Sequence, residues 1–79
     1  MIEIYTKEAC IYCTKAKEIM TTRGIQFFET PVKTPEDKQA IQERVGDIKK
    51  INTVPQFFKD GAYLGGYIDL LEYLAALRD

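Results

Sequence analysis

The chain has 79 residues, a net charge of −1, and 46% apolar residues, with five tyrosines and four phenylalanines. This length predicts a single domain spanning residues 1–79, and the apolar fraction is too high for a disordered segment. The near-neutral charge and the short apolar runs favour neither nucleic acid nor a membrane as a partner. No signal-like segment opens the sequence, so we expect a cytoplasmic protein, and we also expect it to be a monomer.

The first part of the chain predicts a strand–helix–strand unit. Residues 1–5 alternate and end in strand-favouring types, residues 11 to about 23 have helical periodicity, and Gly24 marks the helix end. Residues 25–29 form a second strand, and so short a unit implies parallel pairing through a right-handed crossover. The predicted inner face of the helix carries Tyr12, Ala16, Ile19 and Met20.

The second part predicts a helix, a hairpin and a last helix. Thr34 is placed to cap the second helix, whose predicted inner face consists of Ala40, Ile41, Val45 and Ile48. Residues 54–59 and 62–64 form two strands around Asp60-Gly61, a strong signal for a tight hairpin. The last helix follows Gly65-Gly66, with apolar positions Leu70, Leu71, Leu74 and Leu77. The order βαβαββα predicts a thioredoxin-like α/β fold, a four-stranded mixed sheet flanked by three helices.

The only two cysteines lie in Cys10-Ile11-Tyr12-Cys13, where the first strand leads into the first helix. At or just before the helix N-cap, the sulfur of Cys10 would meet unpaired N–H groups that favour thiolate, and Lys7 would add positive charge. Cys13, one turn inside, should be more buried. We therefore predict that Cys10 attacks a disulfide and Cys13 resolves the mixed disulfide. We expect no metal site, because zinc needs four ligands and the chain has no histidine and no third cysteine.

Three motifs in order resemble the glutaredoxin family over nearly the whole chain. They are Tyr5-Thr6-Lys7 leading into Cys10-Ile11-Tyr12-Cys13, then Thr53-Val54-Pro55, then Gly65-Gly66 opening the last helix. The resemblance implies a dithiol–disulfide oxidoreductase that uses glutathione as a co-substrate and holds no tightly bound cofactor. The non-proline C-x-Tyr-C site, the short chain and the aromatic residue after Gly-Gly are similar to phage-type glutaredoxins.

The same resemblance implies a groove for glutathione beside the cysteines. Pro55 is expected to be cis, so that the backbone of Val54 can pair with an extended cysteine-containing peptide. Gly66 is expected to meet the γ-glutamyl end of glutathione, where Asp69 either adds a contact or only serves the helix dipole. Lys7 is expected to meet the glycyl carboxylate, and Lys49 and Lys50 are secondary candidates for that contact. The expected glutathione-binding residues are Lys7, Tyr12, Thr53, Val54, Pro55, Gly66, Tyr67 and Asp69.

Two residues depart from the commoner family pattern. Ile11 stands where proline is common, which loosens the start of the helix and should move the reduction potential in a direction that the sequence does not give. Ile68 stands where a polar or acidic residue is common, so the contact to the γ-glutamyl group is either missing or made by Asp69.

The C-x-x-C pair predicts dithiol redox chemistry. The resemblance implies glutathione-dependent reduction of protein disulfides or glutathione mixed disulfides, with ribonucleotide reductase as a candidate protein substrate. Two other classes stay open. A dimer could hold a [2Fe–2S] cluster through Cys10 of each chain and two glutathione thiols. Anaerobic reconstitution followed by visible absorption tests for this cluster carrier. A redoxin that ignores glutathione would instead take electrons from thioredoxin reductase, and turnover with each donor tests for that class.

Overall fold

The computed structural model describes residues 1–77, and the last two residues of the predicted domain lie outside the described residues. Seven elements follow one another in the predicted order. They are β1 (Ile2–Thr6), α1 (Ile11–Thr22), β2 (Phe27–Pro31), α2 (Pro35–Val45), β3 (Gln56–Lys59), β4 (Ala62–Gly65) and α3 (Tyr67–Ala76).

The strands form one mixed sheet in the order β2-β1-β3-β4. β1 pairs in parallel with β2 and antiparallel with β3, which pairs antiparallel with β4. Asp60 and Gly61 both have positive φ, 49° and 88°, as a tight hairpin between β3 and β4 requires. The predicted thioredoxin-like sheet with three helices is confirmed.

Helices cover both faces of the sheet, and each face has its own apolar cluster. Phe57 and Phe58 are adjacent in β3 and both fully buried, but they point to opposite faces, as neighbours in a strand do. Phe57 packs with residues of α1 and α3, among them Met20 and Leu70, in one cluster. Phe58 packs with Ile41 of α2 and with other residues in the second cluster. The sheet is therefore fixed between two layers of helices. The carboxyl end of β1, at Thr6, is held in place and can present the cysteines that follow it rigidly.

The second strand begins two residues later than predicted, and the reason lies at the end of α1. The N–H of Ile25 donates to the carbonyl of Met20 over 2.8 Å, so Ile25 closes the helix end instead of pairing with β1. Pairing with β1 instead continues to Pro31, opposite Thr6.

Three predicted inner-face positions are wrong. Tyr12 is 54% exposed, because it lies in the first turn of α1 and the buried stripe runs through Cys13, Ala16 and Met20. Ala40 is exposed because α2 buries only Ile41 and Val45. Ile48 is 77% exposed because α2 ends at Val45 and Gly46 follows with φ 67°.

No helix within residues 1–77 is both long enough and apolar enough to span a membrane.

Candidate active site

Cys10 is the N-cap of α1, and a disulfide joins it to Cys13. The backbone N–H of Cys13 donates to Sγ of Cys10 over 3.2 Å, so the sulfur takes the place that a capping oxygen usually has. Cys13 is 2% exposed, whereas Cys10 is only half-buried. The sulfur at the surface is therefore the one that a helix N-terminus favours as a thiolate, which fits the predicted roles.

The segment before β3 lies directly against the disulfide. The peptide bond between Val54 and Pro55 is cis, as expected, and the carbonyl oxygen of Val54 lies 3.8 Å from Sγ of Cys10. Pro55 is buried and Val54 is half-buried, while Thr53 is exposed. Of the three residues of this motif, Val54 is the one whose contact with Cys10 is direct, and Thr53 and Pro55 are its neighbours in the chain.

Two tyrosines stand together at the starts of α1 and α3. The ring centroids of Tyr12 and Tyr67 are 5.0 Å apart, and the ammonium of Lys15 lies 5.6 Å from the centre of the Tyr12 ring. Because Tyr12 lies between the two cysteines in sequence, this pair links the disulfide turn to the start of the last helix.

The start of α3 is held by its own acidic side chain. Oδ2 of Asp69 accepts the N–H of Gly66 over 2.9 Å, and Gly66 is the N-cap of this helix. Gly65 has a φ of 131°, and a Cβ there would lie 2.5 Å from Cβ of Asp69, so this turn requires glycine. Asp69 thus has a clear structural function here, and Ile68 beside it is 64% exposed.

Lys7 is exposed and lines two hollows, of which only the second contains the cysteines. One hollow, with a volume of about 160 Å³, lies between α2 and the segment that precedes Pro55, and Lys38 also lines it. Sequence reasoning missed Lys38, because nothing in an exposed helical lysine shows what it faces. The other residues of this hollow are Val32, Ile41, Ile51, Asn52, Thr53 and Val54.

The second hollow contains both cysteines and a polar network of three side chains. The hydroxyl of Thr6 donates to Oε2 of Glu29 over 2.7 Å, and Nζ of Lys17 lies 3.0 Å from the same oxygen. The hydrogen bond from Thr6, followed by the one from Lys17, lowers the pKa of the Glu29 carboxyl below its usual value. Glu29 is therefore an ionised group that ties β2 to β1 and α1.

Within the part of the chain that the structure describes, no cluster of three or more histidine, cysteine or acidic residues is arranged to hold a metal ion.

The comparisons with known proteins agree on one family. The glutaredoxin family model matches residues 2–64. Glutaredoxin 3 of Escherichia coli strain K12 is 39% identical over 69 residues, which cover 87% of this chain and 80% of that protein.

Solved structures of glutaredoxins share the fold. Glutaredoxin 1 of Francisella tularensis, crystallised in complex with cacodylate, has a TM-score of 0.78 at 29% identity, covering 94% of this chain and 91% of its own. The solution structure of glutaredoxin from Brucella melitensis has a TM-score of 0.74 at 36% identity, and the match covers 94% of this chain and 77% of that one. Because the family model matches residues 2–64, which include both cysteines, and a relative is 39% identical over most of both chains, this chain belongs to the glutaredoxin family and is a thiol–disulfide oxidoreductase.

Proposed function

We propose that the chain is a glutathione-dependent reductase of protein disulfides and glutathione mixed disulfides. The observation that carries the proposal is the half-buried sulfur of Cys10, which caps α1 and lies 3.8 Å from the carbonyl of Val54. An extended peptide that pairs with the backbone of Val54 would bring its own sulfur to Cys10.

Glutathione has the charges that this groove can meet. Lys7 and Lys38 line the hollow at one end and supply cations for the glycyl carboxylate. The start of α3 supplies backbone N–H groups for the carboxylate of the γ-glutamyl end. Oδ2 of Asp69 is engaged by Gly66, so its other oxygen is the one that can accept the γ-glutamyl ammonium. Tyr12 and Tyr67 form the side of the groove between these ends.

Reduction of a protein disulfide takes two exchanges. The thiolate of Cys10 attacks one substrate sulfur, which forms a mixed disulfide and releases the other substrate sulfur as a thiolate. Cys13, having lost its proton to solvent, then attacks Sγ of Cys10, which forms the Cys10–Cys13 disulfide and releases the second substrate thiolate. Both substrate sulfurs gain an electron and a proton, and the two cysteines are oxidised.

Two glutathione molecules restore the dithiol. The first attacks Sγ of Cys10, so Cys13 leaves as a thiolate and takes a proton. The second attacks the sulfur of the bound glutathione, which releases glutathione disulfide and the thiolate of Cys10. The partial exposure of Cys10 and the burial of Cys13 favour this order of attack, because Cys10 is the more accessible of the two to a second molecule.

Replacement of each cysteine by serine tests the assigned roles. Cys10→Ser should abolish glutathione-dependent reduction of a glutathionylated peptide, while Cys13→Ser should keep appreciable activity, because removal of glutathione from a peptide needs only the attacking thiol. Reduction of a protein disulfide, in contrast, should require both cysteines. The measurement is initial velocity coupled to glutathione reductase, and equal loss in both variants with the glutathionylated peptide would contradict the roles.

The electron donor and the protein substrate belong to the same proposal. We propose glutathione as donor, ribonucleotide reductase as one protein substrate, and action as a cytoplasmic monomer. Turnover with thioredoxin reductase but not with glutathione would mean that the protein is a redoxin that does not use glutathione. A coloured dimer after anaerobic reconstitution with iron, sulfide and glutathione would mean that it is a carrier of [2Fe–2S] clusters.

A further inference from the structure

Two glutamine side chains hold the backbone of residues 51–54, which form one side of the hollow that Lys7 and Lys38 also line. We call this segment the groove wall. It belongs to the stretch between α2 and β3, where residues 46–55 form neither helix nor strand. Its backbone groups therefore need partners other than those of regular structure.

Gln42 holds the chain at the start of the groove wall. Its Nε2 donates to the carbonyls of Gly46 and Lys49 over 3.0 and 2.9 Å, and its Oε1 accepts the N–H of Ile51 over 2.7 Å. One side chain on α2 thus fixes three backbone groups spread over six residues. Ile51 is 3% exposed and packs in the apolar cluster of α2, so its position is also fixed by packing.

Gln56 holds the other end of the groove wall. It is 1% exposed, its Nε2 donates to the carbonyl of Thr53 over 2.9 Å, and its Oε1 accepts the hydroxyl of Tyr63 over 2.6 Å. Because Thr53 directly precedes the residue whose carbonyl faces Cys10, this bond limits how far the groove wall can turn away from the sulfur.

We propose that Gln42 and Gln56 are positioning residues that set selectivity for glutathionylated substrates by fixing the groove wall against Cys10. This inference rests on the proposed use of glutathione. An extended substrate must pair with a backbone that is already in place, whereas a small disulfide needs only access to the half-buried sulfur of Cys10. Loss of the hydrogen bonds from either glutamine should therefore weaken binding of the extended substrate and leave the reactivity of Cys10 unchanged.

Gln42→Leu is the principal variant, because it removes all three hydrogen bonds and leaves a side chain of similar size. Gln39→Leu is the matched control, since Gln39 lies one turn earlier on α2 and lines the same surface hollow as Gln42. Gln56→Leu is the second variant, and it removes the hydrogen bond to the carbonyl of Thr53 at the other end of the groove wall. Urea unfolding shows whether each variant is folded under the assay conditions.

Three readouts separate positioning from general damage. The KM for a glutathionylated peptide should rise about three- to tenfold in Gln42→Leu, as loss of ordinary hydrogen bonds implies. The rate at which the reduced protein reacts with 5,5′-dithiobis(2-nitrobenzoate), which lacks glutathione, should not change. Amide hydrogen exchange at Ile51 should become faster, and Gln39→Leu should match the wild type in all three.

An unchanged KM in Gln42→Leu and Gln56→Leu would overturn the proposal, and so would a parallel fall in the reaction with the aromatic disulfide. A wild type that shows no preference for the glutathionylated peptide over the same peptide in a disulfide with cysteamine would overturn the use of glutathione itself. Failure of the positioning proposal would therefore be seen in the variants, and failure of the proposed use of glutathione would be seen in the wild type.

Discussion

At the scale of single residues, Lys7 and Lys38 are the charges that the hollow beside the groove wall offers to an anion. We expect Lys7→Gln to raise the KM for a glutathionylated peptide by about two- to fivefold, as exposed charge pairs usually contribute. Lys7→Gln with Lys38→Gln should raise it further. The increase should shrink at high salt, because added ions screen exposed charges. Steady-state kinetics at two ionic strengths is the measurement.

Lys49→Gln is the control for that prediction, because Lys49 lies in the hollow on the other side of α2, with Gln42. Lys49→Gln lowers the net charge of the protein by the same amount as Lys7→Gln. An equal increase in KM for Lys49→Gln and Lys7→Gln would mean that total charge matters and that the hollow is not the site of the carboxylate.

The sequence predicted those site residues whose chemistry shows in their own type and spacing. Two cysteines at C-x-x-C spacing are such a signal, whereas Thr53-Val54-Pro55 could be assigned to the site only through the family resemblance, and the structure brings Val54 against Cys10. Gln42 and Gln56 had no such signal, because the function of an amide side chain depends on which backbone groups it reaches. Their partners lie in an irregular stretch whose path the residue pattern does not give.

At the scale of elements, α2 begins with a complete capping box. The hydroxyl of Thr34 accepts the N–H of Asp37 over 3.2 Å, and Oδ2 of Asp37 accepts the N–H of Thr34 over 3.1 Å. Thr34→Ala should lower the free energy of unfolding by about 1 kcal/mol, because one backbone N–H of the first turn loses its partner. Urea unfolding at pH 7 measures this change.

Thr22→Ala is the matched control for the capping prediction, because Thr22 is an exposed threonine in the last turn of α1. Alanine should be tolerated or slightly stabilising there. Thr34 lines neither of the two hollows that Lys7 borders, and its hydroxyl only caps α2, so Thr34→Ala should leave the reaction of Cys10 with small disulfides unchanged. A loss of stability as large in Thr22→Ala would contradict the importance of the cap.

Element order and type were predictable, but the boundaries and faces depended on contacts outside each element. Asp60-Gly61 gave the hairpin because both residues tolerate positive φ. Ile25 was assigned to β2, although its N–H is used by the end of α1. Ile48 was assigned to the inner face of α2, because helical periodicity continues in the sequence after the helix itself has stopped at Gly46.

At the scale of the whole molecule, ion pairs connect the helical layers to the sheet on both faces. Arg44 of α2 makes two hydrogen bonds of 3.0 Å with the carboxylate of Glu3 in β1, and its guanidinium lies 3.8 Å from the centre of the Phe58 ring. On the other face, Lys17 of α1 pairs with Glu29 of β2. Each pair joins a helix to a different strand, so the two layers are tied to the sheet by charge as well as by packing.

These pairs make the fold sensitive to acid. The hydrogen bonds from Arg44 lower the pKa of Glu3, and those from Thr6 and Lys17 lower the pKa of Glu29. A carboxyl group whose pKa is lower in the folded chain than in the unfolded one stabilises the fold fully above the unfolded pKa. For glutamate that value is about 4.3, and the contribution is lost as the pH falls through the folded pKa. Stability should therefore change little between pH 7 and 5 and decrease below pH 4.3.

Glu3→Gln with Glu29→Gln should lower the urea midpoint at pH 7 and should also reduce its further decrease between pH 5 and pH 3. The second effect is the specific one, because glutamine cannot gain a proton in that range and the lost ion pairs are already absent at pH 7. Glu18→Gln, in an exposed position on α1, is the control and should keep the wild-type decrease. If the double variant lost as much stability on acidification as the wild type, other carboxyl groups would carry the response. The charged links between helices and sheet would then be incidental to the stability of the fold.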